Sequence, residues 1–217
     1  MSDSLLRGTL ALTGGLPLLI VAATLVLIWI DPQSGAGGAW LKLGAMMILL
    51  EFLLLHSGAF MAVGPLVCKK AWQQVAWFVA CITLYGLFFV GVASWIGQAY
   101  VAWLLAGVVL SRLLTLLILR DRRGTILMLQ RSALGMVMLM LTMLLCLIPF
   151  PDLGITEAAR YEAFGSQDDA LSEHPERFIV WGVVYFLIMG GIELWAGWRL
   201  PDWKDEEVEK SWALLGK

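Results

Sequence analysis

Leu49-Leu-Glu51-Phe-Leu-Leu-Leu-His56-Ser-Gly58 sets a carboxylate and an imidazole inside a run of side chains that otherwise suits hydrocarbon. The apolar run around it, about 40–64, exceeds the ~20 residues that a helix needs to cross a bilayer core. A soluble reading fails on composition. The chain is 60% hydrophobic and only 15% charged, whereas soluble domains carry roughly 25% charged residues. That leaves too few charges to cover a water-facing surface, so the solvent for most of the chain is lipid.

Working outward from this stretch, the apolar runs define an all-α, polytopic membrane protein. The expectation is a six-transmembrane-helix bundle with spans at about 9–30, 40–64, 74–95, 99–119, 132–150 and 178–198. Gly14, Gly15 and Pro17 predict a loosened turn near the start of the first span. The first apolar run is also longer than the ~7–15 residues of a signal-peptide core, so it reads as a retained span. The second span is expected to stop at Pro65.

Orientation follows from Lys and Arg. Arg7, Lys69, Lys70, Arg120, Arg122, Arg123, Arg131, Arg199, Lys204, Lys210 and Lys217 fall on one side of a six-span path, against Lys42, Arg160 and Arg177 on the other. The positive-inside rule therefore predicts cytoplasmic termini, N-in and C-in. The expected location is the cell membrane, which is the inner membrane in a prokaryote.

The segment 149–177 is then an extracytoplasmic loop rich in acids. Within it, Thr156 before Glu-Ala-Ala-Arg-Tyr-Glu-Ala-Phe and then Gly165 reads as a short capped helix. The loop is either a solvated segment resting on the bundle or an acidic lid that gathers cations. Residues 201–217 read as a short cytoplasmic tail helix, with Val208, Trp212 and Leu215 on one face.

Four ionisable side chains lie inside predicted spans: Glu51, His56, Arg112 and Glu193. A charge near the centre of a span costs about 2.5–3.5 kcal/mol on insertion scales, so such groups must be paired, neutral or wetted. Spans two, four and six run in the same direction, which puts His56, Arg112 and Glu193 at similar depth and Glu51 nearer the midplane. Glu51 and His56 are separated by about 500° of helical rotation, or about 140° net, so they do not share a narrow face. Ser57, Tyr85, Ser111, Thr115 and Tyr185 are supporting polar candidates.

These residues carry three readings. The first is a small transport or channel-type protein in which Glu51, His56, Arg112 and Glu193 relay a proton or cation. Its plainer counterpart is a structural network, with Arg112 paired to a glutamate and His56 donating to a backbone carbonyl. The second is a non-catalytic membrane scaffold or assembly subunit, motivated by the lack of any nucleotide or cofactor motif. The third is a membrane-embedded metalloenzyme using Glu51, His56 and Glu193, an allowed ligand set without HxxxH or ExxH spacing to strengthen it.

No cofactor is expected from motifs, and a metal ion enters only through that third reading. Enzymatic activity is not the expectation, since no GxSxG elbow is present. Cys68, Cys81 and Cys146 show neither CxxC spacing nor a disulfide framework. Basic runs interleaved with aromatics are missing, which excludes nucleic acid as a partner. The expected partners are the lipid bilayer and either further copies of the chain or membrane subunits.

Overall fold

A computed structural model describes residues 3–33, 38–68, 70–96, 122–166 and 170–198, together with positions 210 and 213. Every regular element among the described residues is helical: α1 (Asp3–Ile30), α2 (Gly38–Val67), α3 (Ala71–Ile96), α4 (Arg122–Met143), a 3-10 turn (Leu144–Leu147), α5 (Glu157–Phe164), α6 (Ala170–Glu173) and α7 (Pro175–Trp198). Four stretches are long and apolar enough to cross a membrane: Gly38–Gly64, Trp72–Ser94, Met128–Leu147 and Pro175–Trp195. A shorter apolar stretch, Gly14–Ile30, forms most of α1. The predicted span 99–119 lies outside the described residues, as does all of the predicted tail helix but positions 210 and 213.

Helix ends differ from the predicted spans for local reasons. α1 runs unbroken through Pro17. α2 passes Pro65 and ends at Val67, because Cys68 N–H still closes the last turn on the Gly64 carbonyl at 2.9 Å. α4 starts at Arg122, well before the predicted span at 132, since hydropathy marks the part that crosses lipid and not the length of the helix. It gives way to the 3-10 turn ahead of Pro149. Ile148 is extended there (φ −95°, ψ 132°), as a residue preceding proline prefers. α7 opens on Pro175, whose missing N–H is one of the four that a helix start leaves unpaired anyway.

The chain divides into two compact units, Met1–Leu50 with Val137–Pro201 and Glu51–Met136 with Asp202–Lys217. In the first, α1 and α7 meet at a glycine crossing. A Cβ placed on Gly15 would lie 2.6 Å from Leu194 Cγ and 2.8 Å from the Gly190 carbonyl. One placed on Gly190 would lie 2.7 Å from Leu19 Cδ2. In lipid no hydrophobic force drives helices together, so close backbone approach through small residues supplies the dispersion contact instead. Further along α1, the buried Leu25 sets one methyl against Gly182 of α7 and the other against Gly44 of α2. Trp181 Nε1–H donates to Thr142 Oγ at 3.0 Å, tying the end of α4 to α7 by a buried hydrogen bond.

The acidic segment of this unit is packed. Thr156 caps α5 by accepting from Ala159 N–H, and Gly165 ends it with φ 68°, where only glycine avoids strain. Ile155, Ala159 and Phe164 are buried beneath it. Trp29 Nε1–H donates to the Pro151 carbonyl, and Gly154 N–H donates to the Trp29 carbonyl. A side chain at Gly154 would collide with the Ile30 carbonyl. Glu162 accepts from Gln33 Nε2 at 3.0 Å and from Gly38 N–H at 3.1 Å, which anchors α5 to the first amide of α2. Those two bonds, the Gln33 one first, hold the Glu162 carboxyl below its ordinary pKa.

In the second unit, α2 and α3 form a hairpin. Trp77 lies over Gly64, where a Cβ would meet its ring at 2.6 Å, and its Nε1–H donates to the Phe60 carbonyl at 2.9 Å. Gln74 Nε2–H donates to the Cys68 carbonyl at 2.9 Å and closes the turn. Among its described side chains α3 buries a narrow stripe, Cys81, Tyr85, Phe89 and Val92, spaced by four, four and three residues, with Ala93 beside it.

Candidate functional site

The spans are unequally enclosed. In α2 and α7, 56% of each membrane-length stretch is buried, against 17% in α3 and 22% in α4. The two well-enclosed spans are the ones that carry intramembrane carboxylates, Glu51 and Glu193. Both are buried, at 8% exposure each.

Helical geometry explains which way each polar group faces. On α2, Leu49, Phe52, Phe60 and Val67 are exposed. At 100° per residue they fall within about 80° of one another, with His56 among them. Glu51 lies roughly 150° from the middle of that stripe, on the face that also buries Leu54, Leu55, Ser57 and Met61. On α7 the exposed positions are Leu187, Ile188, Gly191 and Trp195, and Glu193 lies on the opposite face. Both glutamates are therefore on buried faces.

Glu193 is the better framed of the two. Its carboxylate lies beside Gly14 of α1: a Cβ on Gly14 would stand 3.0 Å from Oε2 and 3.6 Å from Cδ. The absent side chain leaves room for the carboxylate in the cleft between α1 and α7. Gly14 was readable in the sequence only as a possible bend, because its use depends on a residue far along the chain.

His56 is half-buried on the exposed stripe. Its Nδ1 is 2.7 Å from the Phe52 carbonyl. A carbonyl oxygen can only accept, so Nδ1 carries a hydrogen. The Phe52 ring packs on the imidazole, with centroids 4.1 Å apart. Among the supporting residues, Ser57 is fully buried and donates to the Leu54 carbonyl at 2.7 Å, while Tyr85 and Tyr185 are buried. Arg112, Ser111 and Thr115 lie outside the described residues.

A second polar cluster, not singled out from sequence, lies where the acidic segment meets α7. Glu176, 3% exposed, accepts from Arg160 at 3.4 Å and lies 3.2 Å from His174 Nδ1 and 3.9 Å from Arg177 Nε. Arg160 also pairs with Asp152. The sequence signal was weak: one glutamate among many, distinguished only by its place in the first turn of a helix that opens on proline. Among the described residues no group of three or more His, Cys, Asp or Glu side chains is arranged to hold a metal ion. No protein-family model, curated protein or solved structure matches the chain.

Proposed function

We propose that the chain is a small integral membrane protein of the transport or channel type, in which Glu51 and Glu193 carry a proton or pair with a cation on its way through the membrane. The observation that carries the reading is the burial of both carboxylates on protein-facing sides of apolar helices, where an ionisable group has a high insertion cost and is by default a candidate for function. In this reading the chain crosses the membrane six times with both termini in the cytoplasm. His56 lies on the other side of α2 from Glu51. The chain works with further copies of itself, because six short spans enclose little volume.

The test is flux into proteoliposomes, with a pH-sensitive dye for protons and a cation-sensitive dye for monovalent cations. Wild-type protein is expected to conduct. Glu51→Gln and Glu193→Gln, each checked for intact helicity and monodispersity, are expected to lower flux at least tenfold. Wild-type flux in both variants sinks the proposal. Zero flux in wild type, with a stoichiometric partner copurifying from native membranes, selects the scaffold reading instead.

A further inference from the structure

Gly14 and Gly15 are neighbours in α1, yet the structure gives them different partners on α7. A Cβ on Gly15 would stand 2.6 Å from Leu194 Cγ and 2.8 Å from the Gly190 carbonyl oxygen, a branch carbon and fixed backbone. For a Cβ on Gly14 the three nearest atoms all belong to Glu193: Oε2 at 3.0 Å, Cδ at 3.6 Å and Cβ at 3.7 Å. Gly190, Glu193 and Leu194 are an i, i+3, i+4 set, so one face of α7 serves both glycines. The Glu193 side chain, from Cβ to carboxyl, lies across the bare backbone of α1.

That placement answers a problem of direction. Glu193 is two residues inside the Trp195 end of its apolar stretch, about 3 Å of helix at ~1.5 Å per residue. Side chains on a helix lean toward its N-terminus, so the carboxyl is directed away from that near end and back into the apolar stretch. A polar group costs least there when it faces other polar groups and not hydrocarbon. With no side chain at Gly14, the carboxyl meets the backbone of α1 where a methyl would otherwise stand, and Glu193 stays buried at 8% exposure. We propose that Gly14 is a positioning residue for Glu193, the seat that holds its carboxyl in the cleft between α1 and α7. The two glycines then divide the work: Gly15 lets the helices approach, and Gly14 places the charge-bearing group. A methyl at Gly14 meets the far end of a flexible side chain, so it displaces the carboxyl by a few tenths of an ångström and leaves the helix crossing intact. The effect on flux rests on the transport reading, whereas the seat itself does not.

The test compares Gly14→Ala, Gly15→Ala and Gly191→Ala in the full chain. Glutamate labelled with 13C at Cδ reports the carboxyl by magnetic resonance, and Glu193→Gln identifies its signal. Gly14→Ala is expected to unfold at the same detergent fraction as wild type and to move the Glu193 resonance. It should lower flux into proteoliposomes about threefold to tenfold, since a misplacement of about 1 Å can cost about a hundredfold. Gly191→Ala, with nothing within 4 Å of its Cβ, should change neither resonance nor flux. An unmoved Glu193 resonance in Gly14→Ala overturns the proposal. So does a Gly14→Ala protein as unstable as Gly15→Ala, which would make Gly14 a packing residue only, and so does a moved resonance with wild-type flux. Zero flux in wild type sinks the transport reading instead, and the resonance alone then decides whether Gly14 seats the carboxyl.

Discussion

Replacing Gly15 by alanine tests the crossing of α1 and α7 directly. The new methyl carbon would stand 2.6 Å from Leu194 Cγ and 2.8 Å from the Gly190 carbonyl oxygen. Neither neighbour is the free end of a flexible side chain: one is a branch point and the other is backbone. The helices must separate by roughly half an ångström or more to restore ordinary contact, and a radial gap of 0.5–1 Å forfeits about a quarter to a half of each dispersion well along the seam. Overpacking of this kind costs about 1–3 kcal/mol. Opposing it is the intrinsic gain of alanine over glycine in a helix, up to about 1 kcal/mol. A net loss of stability is expected, on the order of 1–2 kcal/mol.

The control is Gly191→Ala, one residue past Gly190, where nothing lies within 4 Å of the added Cβ. It should be neutral or stabilising by up to about 1 kcal/mol. Both can be read by unfolding in mixed micelles under increasing denaturing detergent, followed by tryptophan fluorescence. A Gly15→Ala protein as stable as wild type, or more so, would refute the argument that close backbone approach holds these helices together.

Other outcomes follow from the same structure. Trp181→Phe removes the donor to Thr142 and should cost about 0.6 kcal/mol, the average for side-chain hydrogen bonds between membrane helices, and no more than about 1.7 kcal/mol. Glu176→Ala leaves Arg160 and His174 without their buried acceptor and should loosen residues 155–164 by about 1–3 kcal/mol, visible as faster amide exchange confined to that segment. The Glu162 anchor has a defined pH sign. Its folded pKa is depressed, so its stabilising contribution is present above the ordinary glutamate pKa and is lost as pH falls through the depressed value. Exchange at the Gly38 amide should therefore show excess protection at neutral pH that fades in that acid window. Glu162→Gln should flatten the dependence.

Much of this protein follows from residue order alone. Apolar runs of membrane length announce helices, because in lipid every backbone amide must find its partner within its own segment. The Thr156 and Gly165 boundaries of α5 were legible for the same local reason: a cap and a left-handed glycine act within one turn. That Glu51 and His56 face different ways needed only the 100° rotation per residue. Hydropathy could not fix where α4 begins, since arginines continue a helix as well as leucines do.

What only the tertiary structure decided are relations between residues distant in sequence. Gly14 and Gly15 read as a flexible point until Glu193, Gly190 and Leu194 are placed against them. The acidic segment read first as a solvated loop resting on the bundle and second as a lid, and the sequence held no sign of Glu162 on the first amide of α2 or of Glu176 between its basic neighbours. Which face of α2 is enclosed, and hence that Glu51 is buried while His56 looks outward, also came from packing. The hydrophobic pattern of a membrane helix runs all the way round, so it does not tell protein from lipid, and the distinction rests on which neighbours arrive.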